Sequence, residues 1–241
     1  MSTVKQHYDE VLSDVYSWMY GGFANNIQRY TEFFNKEKLS PQGSGIAIDL
    51  GAGCGFQSIP LAKAGYSVTA IDFDANLLSE LKSNADGLEI TTIQGDLLDF
   101  DKSLNTDAEL VVCMTDTILH LESKEKVASL FAKVFAALET DGKFIITFRD
   151  LTYELKETDR ILPVRSDEST IFTCFLEYEL ETVKVHDIVY QKSDNAWKLS
   201  KSFYRKLRLS RAWMSEELSQ AGYSKVDSTV ENGVIRITAT R

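Results

Sequence analysis

The stretch from Gly45 to Gly65, GIAIDLGAGCGFQSIPLAKAG, constrains this chain more than any other. Ile46, Ala47, Ile48 and Leu50 make a short apolar run of the kind seen in a strand buried on both faces, and the run stops at a cluster of glycines. From Phe56 to Ala64 the apolar spacing becomes helical, Pro60 falls near the first turn where early N–H groups lack partners, and Gly65 supplies a stop. The pattern predicts a buried strand, a tight loop and a helix. Without side chains at Gly51, Gly53 and Gly55, a ligand can lie on the main chain and face the positive end of the helix.

A glycine loop of this kind serves dinucleotides, phosphates and adenosyl groups alike, so its spacing matters. Dinucleotide sites want GxGxxG, whereas here an acid, Asp49, precedes glycines at every second position, with Ala52 between the first two. The next apolar run, Ser67 to Ile71, ends in Asp72, about twenty residues beyond the loop, where an acid can accept both hydroxyls of a ribose; Phe73 follows it. A third run, Leu88 to Ile93, leads into QGDLLDF with Asp96 and Leu97. This series resembles the class I S-adenosylmethionine-dependent methyltransferases. The resemblance covers roughly residues 45–149 and 210–241. It implies a Rossmann-like α/β fold with a seven-stranded, mostly parallel sheet whose last strand is antiparallel. It implies S-adenosylmethionine as cofactor, S-adenosylhomocysteine as product and no metal. Asp49 and the loop would hold the amino acid end, Asp72 the ribose and Asp96 the adenine amino group.

The 241 residues suit one α/β domain with an elaboration, and 44% hydrophobic with 26% charged residues is ordinary for a globular chain. No run approaches the roughly 18 apolar residues of a membrane span, and the N-terminal residues lack a basic-then-apolar leader pattern; a cytoplasmic protein without membrane contact is expected. Three scattered cysteines and three scattered histidines define neither a disulfide framework nor a metal motif. A net charge of −10 weighs against nucleic acid as a partner. The local exception is a basic and aromatic run from Trp197 to Trp213 that includes Lys206, read as an alternating strand with a solvated edge or as a rim for an anionic acceptor.

Four regions are expected along the chain. Residues 1–40 form N-terminal helices or a lid, from a helical stripe over Val4 to Met19 and a second from Phe23 to Phe34. Residues 41–150 form the cofactor-binding core, with Asp74 as an N-cap, Glu109 to Met114 as the fourth strand and Phe144 to Phe148 as the fifth. Residues 151–209 hold an antiparallel insertion of three runs, Ile171 to Leu180, Thr182 to Gln191 and Trp197 to Leu207, with a turn at SDN. Residues 210–241 supply a helix and a hairpin that complete the core sheet.

Ligands of open α/β sheets collect at the carboxyl ends of the strands, which here places Thr115, Asp116 and His120 after the fourth strand and Arg149 after the fifth. His120 and Asp116 are the candidates for a base, needed only for an acceptor that arrives protonated or as a hydroxyl. Arg149 could grip an acceptor carboxylate or phosphate, or pair with a neighbouring acid. Tyr16, Trp18 and Tyr20 could shape the acceptor pocket or present ring faces to a sulfonium. The expected activity is methyl transfer to a small-molecule nitrogen or oxygen by in-line displacement. A nicotinamide oxidoreductase and a non-catalytic adenosyl-binding protein stand as alternatives, and oligomeric state is left open.

Overall fold

The computed structural model describes residues 4–104, 106–194 and 196–241. Its core is a seven-stranded sheet in the order β10-β11-β5-β4-β1-β2-β3. The strands are β1 (Ile46–Leu50), β2 (Ser67–Asp72), β3 (Ile90–Gln94), β4 (Ala108–Cys113), β5 (Leu138–Arg149), β10 (Lys225–Glu231) and β11 (Val234–Thr240). β1 pairs in parallel with both β2 and β4, and β11 runs antiparallel to β5 and β10. Ala47, Ile48 and Leu50 are fully buried because helices cover both faces of the sheet, which is why this strand reads as continuous apolar sequence. The chain leaves β1 for β2 on one side and β4 lies on the other, so the sheet has a switch point at the carboxyl end of β1. A crevice opens there in any such sheet.

The helices are α1 (Val4–His7), α2 (Tyr16–Met19), α3 (Phe23–Lys36), α4 (Ser58–Lys63), α5 (Ala75–Asn84), α6 (Lys124–Ala137) and α7 (Arg211–Gln220). Asp74 caps α5, its Oδ1 accepting the N–H groups of Asn76 and Leu77 at 2.8 and 3.0 Å. α4 starts two residues later than the spacing suggests, and Pro60 is its third residue, where the missing N–H costs nothing. The stripe from Val4 to Met19 is not one regular helix. Between α1 and α2 come a π turn (Tyr8–Leu12) and a 3-10 turn (Ser13–Val15). Two surfaces compete for this segment: Val11, Leu12 and Val15 pack on the inserted sheet, while Tyr8 and Tyr16 turn to the core. Changing the winding rotates one set relative to the other.

The insertion is a separate antiparallel sheet, and it has four strands rather than three: β6 (Ile161–Ser166), β7 (Thr170–Tyr178), β8 (Thr182–Ser193) and β9 (Ala196–Leu207). The missed strand, β6, lies on an edge and carries Pro163, beside which its register slips, so it shows no alternation. The SDN turn predicted between β8 and β9 ends on Asn195, outside the described residues. Among the described residues, no helix is long and apolar enough to cross a membrane.

Candidate active site

Two cavities meet at the carboxyl edge of the core sheet. The first, about 560 Å³, is lined by the loops after β1 to β4: Gly51 and Gly53, Asp72 and Phe73, Asp96 and Leu97, and Thr115 with His120. The N-terminal segment roofs it with Tyr8 and Tyr16. The second, about 580 Å³, lies between α3 and the β10–β11 hairpin, and Tyr20, Thr115, Asp116 and Arg149 line it. Thr115 alone among the predicted residues borders both.

The glycine loop takes its shape from the main chain. Gly51, Gly53 and Gly55 have φ of +76°, +52° and +94°. A Cβ at Gly51 would stand 2.3 Å from Thr117 Cγ2, and one at Gly55 would stand 2.7 Å from Leu81 Cγ. The N–H groups of Gly51 and Ala52 donate to the carbonyl of Ile71 on β2, and Gly53 N–H donates to Asp72 Oδ2 at 2.8 Å. Asp72 Oδ1 accepts Asp74 N–H at 2.8 Å, so this carboxylate ties the first loop to the second while still bordering the cavity. Burial lifts its pKa to about 6. Asp96 caps the turn after β3 through Oδ1, which accepts Leu98 N–H, and it too borders the cavity.

Three loop residues stand behind the cavity rather than on its wall. Asp49 is buried and accepts the Ser58 hydroxyl at 2.6 Å; burial raises its pKa to about 7. Ala52 and Gly55 sit against β2 and α5. These three shape the loop. Trp18 is brought to neither cavity: its Nε1 donates to Asp167 Oδ2 at 2.7 Å and its ring lies under Arg165, joining α2 to the inserted sheet.

The turn after β4 is strained. Thr115 and Asp116 have φ of +60° and +67°, a conformation that side chains with a Cβ adopt at a cost of roughly 1–3 kcal/mol each. Thr147 of β5 holds both, its Oγ1 accepting Thr115 N–H at 2.9 Å and its carbonyl accepting Asp116 N–H at 3.1 Å. Gln57 donates to Thr115 Oγ1 at 3.0 Å. Asp116 Oδ1 accepts the Arg149 backbone N–H at 2.8 Å, and Oδ2 accepts Arg149 Nη1 at 2.6 Å and Lys206 Nζ at 2.8 Å. Lys206 and Arg149 outweigh burial and hold the Asp116 pKa at about 2. Asp116 is thus a fixed anion and a poor proton acceptor, against its reading as a base.

His120 packs between Tyr204, at 5.2 Å, and the edge of Tyr8, at 6.1 Å, and its buried Nδ1 has no hydrogen-bond partner. Burial, helped by the Lys206 charge, lowers its pKa to about 3. Sequence reasoning missed Tyr8, Gln57, Thr147, Tyr204 and the role of Lys206. Lys206 was read as part of a basic strand edge, and nothing local to β9 pairs it with a residue ninety positions away. Ser13 and Ser17 tie the roof down, donating to Asp74 Oδ2 and Glu80 Oε1, both at 2.7 Å.

A bare loop that a Cβ would fill, backed by two acids on a wall under aromatic rings, fits an adenosyl sulfonium. The fold is that of the class I S-adenosylmethionine-dependent methyltransferases, and the comparisons with known proteins support methyl transfer as its activity. Residues 47–142 match the family described as "Methyltransferase domain". A protein of a Geobacillus species named as a methyltransferase is 22% identical over 237 residues, 93% of this chain and 89% of that one. The glycine/sarcosine N-methyltransferase of Aphanothece halophytica is 28% identical over 128 residues, 52% of this chain and 48% of that one. Among solved structures, an S-adenosylmethionine-bound amino pentose methyltransferase from Micromonospora echinaspora shares the fold with a TM-score of 0.73 and 13% identity, over 95% of each chain. The nicotinamide alternative weighed from the sequence gives way. No group of three or more His, Cys, Asp or Glu among the described residues could hold a metal ion.

If Asp72 contacts the cofactor, affinity should depend on pH. Its pKa moves from an ordinary 3.8 up to about 6, so the folded chain binds more protons than the unfolded one in that window, and stability contributed at low pH is lost as pH rises through it. A cation beside Asp72 favours the ionised form. The dissociation constant of S-adenosylmethionine should therefore rise as pH falls from 7.5 to 5, and calorimetry in buffers of different ionisation enthalpy should show protons released on binding near pH 6. Equal affinity across that range would show that Asp72 carries no part of it.

Proposed function

We propose that this chain methylates a nitrogen or oxygen of a small molecule seated in the second cavity, with a free amine as the better fit. The observation that carries this reading is the meeting of two cavities of similar size at Thr115. Bound in the first, S-adenosylmethionine supplies an electrophilic methyl group on a sulfonium. Gly51 and Gly53 would hold its amino acid end, Asp72 its ribose hydroxyls and Asp96 its adenine amino group. Tyr16 and Tyr20, whose hydroxyls burial keeps protonated, would turn ring faces toward the cation; such contacts stabilise by about 0.5–2 kcal/mol. The names of the glycine/sarcosine and amino pentose relatives support a compact amine as acceptor.

Alignment of nucleophile and methyl can supply ~7–11 kcal/mol of such a barrier, and the residues present are suited to that rather than to proton transfer. Asp116 stays ionised and His120 stays neutral across the physiological range. The amine must then arrive with its lone pair free. The pH profile of kcat/KM should follow the pKa of the acceptor, with no break near 6.5. His120→Ala should lower kcat less than tenfold and leave the shape of that profile unchanged; a lost inflection in the variant would restore His120 as the base. The direct test of the function is a panel of small amines and hydroxyl compounds assayed for S-adenosylhomocysteine release. Binding of cofactor with no turnover on any of them would favour a non-catalytic adenosyl-binding protein.

A further inference from the structure

The carboxylate of Asp116 has two cations for one negative charge. Its Oδ1 is taken by a backbone N–H, so Arg149 and Lys206 share Oδ2, at 2.6 and 2.8 Å. Arg149 therefore contacts it through Nη1 alone, and its Nε and Nη2 have no hydrogen-bond partner among the described residues. The Arg149 side chain is 55% exposed and borders the second cavity, whereas the side chains of Asp116 and Lys206 are 5% and 12% exposed. Left alone, an arginine and a carboxylate prefer the two-nitrogen fork. Here the Arg149 backbone N–H holds Oδ1, and Lys206, reaching in from β9 of the inserted sheet, takes a share of Oδ2, so the carboxylate is filled with only one guanidinium nitrogen on it. A partly desolvated cluster with one excess positive charge is costly unless a second anion completes it. Arg236, another cation of this cavity, is already engaged by Glu37 at 2.6 Å.

We infer that Lys206 is a positioning residue for the acceptor: by sharing Asp116 Oδ2 it keeps the free edge of the Arg149 guanidinium turned to the second cavity, where that edge binds an anionic group, carboxylate or phosphate, of the acceptor. This rests on the second cavity being the acceptor site. The inserted sheet is then part of the recognition machinery.

The test uses the full chain saturated with S-adenosylhomocysteine and titrated calorimetrically with sarcosine, O-phosphoethanolamine and ethanolamine, amines that differ in the presence and kind of anion. One of the two anionic probes should bind at least tenfold more tightly than ethanolamine, and which one it is identifies carboxylate or phosphate. Lys206→Met should weaken that probe about tenfold or more, Lys206→Arg should keep it within about threefold, and retained S-adenosylhomocysteine affinity shows that the variants are folded. In an Arg149→Met background, Lys206→Met should cost nothing further, because it acts through Arg149. Ethanolamine binding as well as the anions, no binding by any of the three, or additive losses in the double variant overturns the inference and leaves the methyltransferase reading intact. No heat with S-adenosylhomocysteine itself overturns the reading of the first cavity, and this inference with it.

Discussion

Replacing Asp72 with alanine should weaken S-adenosylmethionine binding about a hundredfold and leave the chain folded. Charge-assisted hydrogen bonds are worth roughly 1.5–3 kcal/mol each, and the proposed ribose contact has two hydroxyls to satisfy. The carboxylate also accepts Gly53 and Asp74 N–H groups, so alanine leaves two donors without it and should lower Tm by a few degrees. Asparagine restores one acceptor oxygen and should fall between, near tenfold. Calorimetry and thermal melts on the three proteins decide it. An affinity within threefold of the parent in the alanine variant would move the ribose to another residue.

A similar loss is expected from Gly51→Ala. The added Cβ meets Thr117 Cγ2 at 2.3 Å and Oγ1 at 2.6 Å, at a φ of +76° that an L side chain tolerates poorly. Left-handed strain alone is of the order of 1–3 kcal/mol, and the clash adds to it. The loop must move, and the cofactor that lies on it should bind at least a hundredfold more weakly. Pairing the change with Thr117→Ala removes the two nearest contacts but not the dihedral strain, so affinity should return only in part. Parent-like affinity in the single variant would show that this loop shape is not what holds the cofactor.

These two positions were readable from the sequence because their demands are local. Glycine at a positive φ, an acid at the end of an apolar run, and Asp74 three residues ahead of a buried leucine each declare themselves within a few positions. The mostly parallel character of the core sheet followed from the same alternation of strand and helix runs. Side-chain direction did not. Asp49 and Asp72 both close apolar strands, yet the first points to Ser58 and the second to the cavity, a difference fixed by the pleat and by what packs above it. Contacts between distant positions were beyond local pattern altogether. Lys206 with Asp116, and His7 with Asp187 at 2.8 Å, join residues that nothing in their own neighbourhoods relates. Trp18 was drawn to the acceptor by its place beside Tyr16 and Tyr20, but the change of winding ahead of α2 carries it round to Asp167.

That change of winding has a kinetic side. A regular helix resists separation from its neighbours as a rod, turn supporting turn, but the segment from Val4 to Met19 is broken into four pieces of three geometries and so gains little from its own length. What keeps it over the first cavity is side-chain anchorage on two sides: serine hydroxyls on Asp74 and Glu80 of one helix below, and His7 on Asp187, Trp18 on Asp167 and the packing of Val11, Leu12 and Val15 on the inserted sheet beside it. Undoing these local contacts is a smaller barrier than opening the sheet beneath. If the adenosyl compound lies where proposed, lifting this strap would open its cavity while the sheet beneath stays intact.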